Sequence, residues 1–507
     1  EGDSIVAVGD LSGADAERVI DASGLVIAPG FIDMHSHSDF TLLADGRALS
    51  KTTQGVTTEV LGESSSAGPV MGEAREEMAG DLKRYGLDLT WSSLGDYFDT
   101  LERKGTSVNV VSTVGAGLIR ASVMGYDDRP PTDEEMARMR ELVDQAMREG
   151  AIGLSSGMVY APNSYFTTEE MIELAEPAAQ HGGLYLTHIR DEDDDLLDAL
   201  EEAIMIGQDA GLPVEILHFK RSAVRREGPR IAPTIRDAVA LIEHHRDAGL
   251  DVAANLYPYS ASQTGLDIRL PGWVHDGGRE RMVERLRTPE SRARARQALR
   301  EMFRQGRGGK TPETIMLGAT PYEPHRQYQG MRLSEISSEM GMDPAETLIE
   351  LVEKGDGRVH AIYFSMRESD VRYLLGLPWT TIGSDGTAVA PEGIFLESHP
   401  HPRWYGSFPR VLGKYVRQEG VLSLPDAIRK MTSLAAERIG LDDRGVVKAG
   451  KKADLVVFDP GTIDGRATFT EPHRLSRGVE WLIVNGETVI AEGAHTGTLP
   501  GRVLRTH

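Results

Sequence analysis

The 507-residue chain contains no cysteine. That excludes a disulfide framework, a thiolate metal site and a cysteine nucleophile, and leaves the compartment open. No apolar run is long enough to span a bilayer, and no signal peptide is visible. This fits a cytoplasmic protein better than an exported one. The chain nevertheless opens at Glu1-Gly-Asp-Ser without Met, so upstream residues, a leader included, can be missing. Positive charge is in short supply: 55 Lys and Arg stand against 78 Asp and Glu, a formal net charge of -23. Nucleic acid and anionic membrane surfaces are poor partners for such a surface, and a small-molecule substrate remains. Oligomeric state is not readable.

What is present is organised around two β-rich ends and a long alternating middle. Residues 1–29 contain the runs Ser4-Ile-Val-Ala-Val and Arg18-Val-Ile to Leu25-Val-Ile-Ala. Residues 446–507 contain Asp454-Leu-Val-Val-Phe and Trp481-Leu-Ile-Val-Asn-Gly, where Asn485-Gly486 is a hairpin signal. The two ends together predict one small β domain, of sandwich type. Between them, residues 30–445 alternate strand and helix patterns, as a parallel sheet requires. Strands are expected within 31–37, 56–63, 108–115, 151–157, 184–190, 213–220, 251–258 and 380–385. Eight is the number for an α/β fold of the (β/α)8 TIM-like barrel kind. Thr132-Asp-Glu-Glu135 and Thr167-Thr-Glu-Glu170 are capping boxes that open helices. The acidic run Asp191–Asp195 reads as the first turn of another helix, where acids suit the macrodipole. One connection, about 260–378, is far too long for a turn. Placed after the seventh strand, it reads as a lid over the active face.

Reactive groups in such a barrel lie at the C-terminal strand ends. His35 and His37 sit there after the first strand, one residue apart and aimed to one side. Glu63 ends the second strand, His188 the fifth, His218 the sixth and Asp385 the eighth. Four imidazoles and two carboxylates suit one or two divalent ions, zinc foremost, with manganese, cobalt or iron as substitutes. Each alone would more often be structural, but their joint appearance at successive strand ends is hard to ascribe to accident.

The motifs Pro29-Gly-Phe-Ile-Asp-Met-His-Ser-His, Gly55-Val-Thr-Thr and Lys448-Ala-Gly-Lys-Lys-Ala-Asp-Leu-Val-Val resemble the metal-dependent amidohydrolase superfamily. Tyr185-Leu-Thr-His-Ile-Arg-Asp-Glu, His218-Phe-Lys, Tyr257-Pro-Tyr, Gly383-Ser-Asp-Gly and His399-Pro-His-Pro-Arg403 resemble, more narrowly, the D-aminoacylases. The resemblance spans nearly the whole chain. It implies hydrolysis of N-acyl-D-amino acids, with Asp385 as general base and then acid. It also implies that Lys220, Arg403 and a tyrosine, Tyr160 or Tyr257, hold the substrate α-carboxylate. There is one departure. D-aminoacylases place a cysteine ligand at the second strand end, where ungapped matching puts Ser64. No lysine stands at the fourth strand end, Gly153–Gly157, to be carboxylated instead, so Glu63 is expected to take the cysteine's place and to bridge two ions. The loop from Asp385 to Arg403 is longer than in D-aminoacylases. A superfamily amidase, dipeptidase or lactonase with another substrate, and a non-catalytic scaffold, remain alternatives.

Overall fold

The computed structural model describes residues 1–222, 233–306 and 310–505. Residues 307–309 of the long connection and 506–507 of the C-terminal segment lie outside the described residues. The strands are β1 (Val26–Pro29), β2 (Phe31–Asp33), β3 (Val56–Leu61), β4 (Asn109–Ser112), β5 (Val114–Gly115), β6 (Gly153–Gly157), β7 (Leu184–His188), β8 (Val214–Ile216) and β9 (Val252–Leu256). There follow β10 (Ser262–Gly265), β11 (Ile315–Ala319), β12 (His360–Tyr363), β13 (Thr380–Ile382), β14 (Leu455–Phe458), β15 (Val479–Val484), β16 (Glu487–Ala491) and β17 (Ala494–His495).

The middle of the chain builds two parallel sheets, ordered β2-β3-β4 and β13-β9-β8-β7-β6-β5. Every residue of β3, β6, β7 and β9 is buried, the pattern of parallel strands covered on both faces. The two sheets meet at both borders. At one, β4 and β5 are separated by Thr113 alone, whose N–H donates to Leu61 O at 3.0 Å. At the other, Met34 N donates to Ile382 O (3.2 Å) and Asp385 N to His35 O (2.8 Å). Each expected strand region contains an observed strand, shorter than its region; in most the last residues leave the ladder to form loops, whereas β6 and the β4–β5 run reach the end of theirs and start late.

Both expected capping boxes are present: Thr132 and Thr167 accept from the amides of Glu135 and Glu170, opening helices Asp133–Arg148 and Thr168–Gln180. The acidic run departs from expectation. The helix after β7 begins at Leu196, and Asp195 makes no side-chain cap. Residues 191–195 are a loop, tied by the amides of Asp193 and Asp195 to Asp191 Oδ1 at 2.7 and 3.1 Å.

The two ends meet in one antiparallel sheet, ordered β1-β14-β15-β16-β17. Asn485 (φ 49°) and Gly486 (φ 82°) make the left-handed turn joining β15 to β16. The runs Ser4–Val8 and Arg18–Ser23 do not form strands. Residues 3–5 bond instead to the irregular stretch before β14, through Ala453 N to Asp3 O and Ile5 N to Lys451 O, both 2.8 Å. Val6, Val8 and Val19 stay exposed.

The long connection is a small unit with its own core. Its antiparallel sheet, β10-β12-β11, packs under helices Gly278–Arg287, Pro289–Gln305 and Pro344–Lys354 around Leu266, Leu299, Leu348, Val352 and Tyr363. Its strand β10 follows directly on β9, so the unit hangs over the C-terminal ends of the parallel strands.

Candidate metal centre

His35 and His37 lie just past β2, in residues that still bond to neighbouring strands: Ser36 N donates to Val60 O (2.9 Å) and His37 N to Gly386 O (3.0 Å). That continuation aims both rings inward, 5.0 Å apart. His188 closes β7, and His218 follows β8; their rings are 4.2 Å apart, and His218 is 5.1 Å from His35. Glu63 stands between the two histidine pairs. Its Oε2 lies 2.5 Å from His35 Nε2 and 3.3 Å from His37 Nε2, and its Oε1 lies 3.5 Å from His188 Nδ1 and 3.8 Å from His218 Nε2. Asp385 Oδ1 is 3.2 Å from His37 Nε2. Three ligand triads arise, each with its donor atoms within 4.8 Å of one another: His35–His37–Glu63, Glu63–His188–His218 and His35–His218–Asp385.

The backbone is held in an uncommon shape here. Ser64, His218 and Asp385 have φ of 58°, 39° and 47°, in the left-handed region that costs a residue with a Cβ. Such strain persists where surroundings over-determine it. Part of that surrounding is a fully buried network underneath. Lys51 Nζ reaches Asp33 Oδ2 (2.7 Å), Ser384 Oγ (2.7 Å) and Glu59 Oε2 (3.2 Å). Asp33 Oδ1 accepts from Ser384 N (2.7 Å) and His35 N (3.3 Å), so one carboxylate holds the backbone of both the first-strand and last-strand ends.

The electrostatics suit a cation. Burial alone would raise the Glu63 carboxyl, but His35, His188 and His218 pull it well below the usual carboxylate range. Burial likewise opposes ionisation of Asp385, and Arg403 with His35 and His37 outweighs it. Burial pushes the His35 and His188 imidazoles down, towards the neutral form that ligates. His35 Nδ1 is buried with no hydrogen-bond partner. Burial also opposes the charge of His37 and His218, but Asp385 and Glu63 raise the first, and Glu192 and Glu63 the second. Ionised carboxylates thus face two imidazoles pushed towards the neutral form, one with an orphaned nitrogen, and two that a divalent ion would have to deprotonate, a donor set that fits such an ion.

Ser64 lies beside Glu63 but is engaged elsewhere: Asn163 Nδ2 donates to its Oγ at 2.8 Å. The expected substrate residues gather on one side. The Arg403 guanidinium stacks on the Tyr257 ring at 4.5 Å, with Lys220 Nζ at 5.8 Å from the same ring. Arg403 Nη2 donates to Asp385 Oδ1 (2.8 Å), while its Nε and Nη1 are buried without partners. Lys220 Nζ donates to Glu192 Oε1 at 2.5 Å. Tyr257 is a platform rather than a donor into the cavity, since its hydroxyl faces Met366 Sδ at 3.6 Å. Tyr160 lines the cavity, its ring 4.9 Å from His188 and its hydroxyl 2.9 Å from Thr264 Oγ1. His399 and His401 shape the loop: His401 Nδ1 accepts from Arg403 N at 3.0 Å.

Sequence reasoning missed Glu192. It lies 3.2 Å from His218 Nδ1 and 3.8 Å from His188 Nε2, and Lys220 first among its neighbours holds it ionised against burial. Its place in Thr187-His-Ile-Arg-Asp-Glu192, four residues after a candidate ligand, was the available signal. His37, Glu63, Tyr160, His188, Glu192, His218, Lys220, Asp385 and Arg403 line one cavity of about 520 Å³, with Gln263, Ile268, Arg269 and Tyr363 contributed by the long connection; His35 and Tyr257 are buried behind that lining.

The amidohydrolase family model matches residues 18–490. D-aminoacylase of Alcaligenes xylosoxydans xylosoxydans is 38% identical over 503 residues, 99% of this chain and 92% of that protein. Two solved structures of D-aminoacylase, one of them from work on its binuclear metal centre, superpose with a TM-score of 0.81 at 35% identity, over 99% of this chain and 94% of theirs. N-acyl-D-glutamate deacylase of Bordetella bronchiseptica, solved with zinc and a phosphonate mimic of the tetrahedral intermediate, gives the same TM-score at 32% identity, with the same coverage. The chain therefore belongs to the amidohydrolase family, in the group that contains D-aminoacylase.

Proposed function

We propose that this protein is a metal-dependent hydrolase that cleaves N-acyl-D-amino acids to a carboxylate and a free D-amino acid. The observation that carries the proposal is the position of Glu63. It lies between two histidine pairs, beside Asp385, in the cavity where Arg403 keeps two unpartnered guanidinium nitrogens. The D preference rests on what the relatives act on. Counted with β4 and β5 as one run broken at Thr113, the parallel strands number eight and support a closed (β/α)8 barrel over residues 30–445; the antiparallel sheet β1-β14-β15-β16-β17 supports a small β domain, read as a sandwich, from 1–29 and 446–507.

In this reading His35, His37, Glu63, His188, His218 and Asp385 would hold one or two zinc ions, with Glu63 supplying the negative charge expected of a cysteine ligand. Bound there, the divalent ion supplies an acidified water and polarises the scissile carbonyl. Lys220 and Arg403 bind the α-carboxylate, Lys220 as a point charge and Arg403 through its unpartnered Nη1 as a charge-assisted hydrogen bond. Tyr257 supports both cations from below, and Tyr160 closes the wall beside His188. As water adds to the amide carbon, Asp385 takes its proton and passes it to the departing nitrogen, so the C–N bond breaks with a neutral amine leaving. His37 and Arg403, both on Asp385 Oδ1, orient the carboxylate and leave Oδ2 for that proton. Glu192 neutralises Lys220 until a substrate carboxylate competes for it.

The test is release of amino acid from paired N-acetyl-D- and N-acetyl-L-leucine by the zinc-loaded protein and by Asp385→Asn. Release from the D substrate only, lowered at least ~10²-fold in Asp385→Asn, is expected. Release from neither substrate, or equal turnover of both, refutes the proposal.

A further inference from the structure

The cavity walls are chemically divided around the metal centre. The β8–β9 side carries the cations Lys220 and Arg403. Another part of the lining is apolar, made by Phe40, Tyr85, Val389, Ile394, Phe395 and Trp404. Three of these come from one stretch, residues 389–395, which follows Asp385 and ends in a short 3-10 turn, Gly393–Glu397. The stretch is pinned along its length. Val389 N and O bond to Ser50 at 3.0 and 2.9 Å, Glu392 pairs with Arg47, and Glu397 pairs with Arg326 at 3.1 Å. Phe395 packs with Val389, Trp404 and Leu475, and its ring lies 6.4 Å from that of Tyr85. It is thus a fixed apolar wall facing the cavity, with nothing on it among the described residues.

An N-acyl-amino acid whose carbonyl sits at the ligand cluster and whose α-carboxylate meets Arg403 and Lys220 must send its acyl chain the other way. We infer that the wall of Tyr85, Val389, Ile394 and Phe395 is an acyl-chain subsite, and that the preferred substrates carry an apolar acyl group of several carbons rather than acetyl. This deepens the proposed activity and rests on it. Each methylene that leaves water for such a wall favours the longer chain by roughly fourfold. Arg84, exposed, lies over the Tyr85 ring at 5.8 Å, whereas Arg47 and Arg326 are paired with Glu392 and Glu397. Arg84 makes an acyl group ending in a carboxylate the competing occupant.

The experiment compares kcat/KM for N-acetyl-, N-hexanoyl- and N-succinyl-D-leucine in the zinc-loaded protein, in Phe395→Ala and in Phe395→Leu. Expected is a hexanoyl preference over acetyl of about tenfold or more, a fall of that ratio by about tenfold in Phe395→Ala, and its recovery in Phe395→Leu. A ratio near one, a ratio unmoved by Phe395→Ala, or a succinyl preference overturns the inference. So does a Phe395→Ala effect that appears instead in the ratio of N-acetyl-D-leucine to N-acetyl-D-alanine, since the wall would then serve the amino-acid side chain. A calorimetric titration of the same proteins with hexanoate and acetate separates this inference from the activity itself. If no substrate is turned over, at least tenfold tighter hexanoate binding, lost in Phe395→Ala, keeps the apolar subsite while the deacylase reading fails; equal binding sinks the subsite too.

Discussion

Replacing Lys51 by methionine should do more damage than any surface charge change, and the structure says how much. Lys51 is fully buried, in contact with Asp33 and Glu59, both also fully buried. Burial opposes its charge, and the two carboxylates outweigh that and hold its pKa above the ordinary lysine value. Methionine fills nearly the same space but leaves two buried carboxylates without a cation. Breaking a buried pair from one side costs about 3–5 kcal/mol, because the remaining charge is uncompensated. The loss would also reach the site, since Asp33 holds the amides of His35 and Ser384, and Glu59 accepts from Ser36 and Ser38. The assay is urea unfolding of the zinc-loaded protein, with zinc affinity measured alongside. Lys51→Met should lose about 3–5 kcal/mol and bind zinc more weakly. Adding Asp33→Asn and Glu59→Gln to it should restore part of the stability, because no buried charge is then stranded. A loss under about 1 kcal/mol, or no recovery in the triple variant, would refute the reasoning.

Glu63→Gln removes the charge between the two histidine pairs, so zinc bound per chain, read by elemental analysis, should fall by at least one equivalent while the fold persists; unchanged zinc content would contradict its role as a ligand. Arg403→Lys keeps the charge but not the planar guanidinium, and kcat/KM for N-acetyl-D-leucine should drop at least about tenfold, the worth of one charge-assisted hydrogen bond. Glu135 is capped to Thr132 and clasped by Arg129 at 2.6 and 2.8 Å, which lowers its carboxyl to about 2. A depressed acid stabilises the fold above its ordinary pKa and loses that contribution as pH falls through the folded value. The unfolding midpoints of the protein and of Glu135→Gln should therefore converge from about pH 4.5 down to about 2, and a gap that stays constant over that window would be evidence against the pairing.

The parts of this molecule governed by local pattern were legible in the sequence. The alternation of strand and helix patterns marked the parallel strands, two capping boxes marked helix starts, and Asn485-Gly486 marked the hairpin. The six ligand candidates were legible because each ends a strand run, and strand ends of such a sheet converge. What was not legible depends on distant partners. Lys51 sits in the short helix Leu49–Thr52, on which the sequence motifs say nothing, and is buried by Asp33, Glu59 and Ser384, the last 333 residues away. Glu192 was hidden in an acidic run whose composition suits a helix start. Lys220 and His218, brought alongside it by β8, hold it in the site instead. Of the N-terminal runs, residues 3–5 make only a single bridge to the stretch before β14 and 18–23 make none among the described residues, while Val26–Pro29 pairs with β14, so pairing rather than propensity decides a strand.

The central claim is that zinc held at Glu63 and the histidines makes this chain a hydrolase of N-acyl-D-amino acids. The most direct test strips the protein with a chelator, confirms that it stays folded, and adds zinc back stepwise while following release of D-leucine from N-hexanoyl-D-leucine. The account predicts no release from the stripped protein and full recovery within two equivalents of zinc. Release that persists without metal, or none at any zinc level, would contradict it.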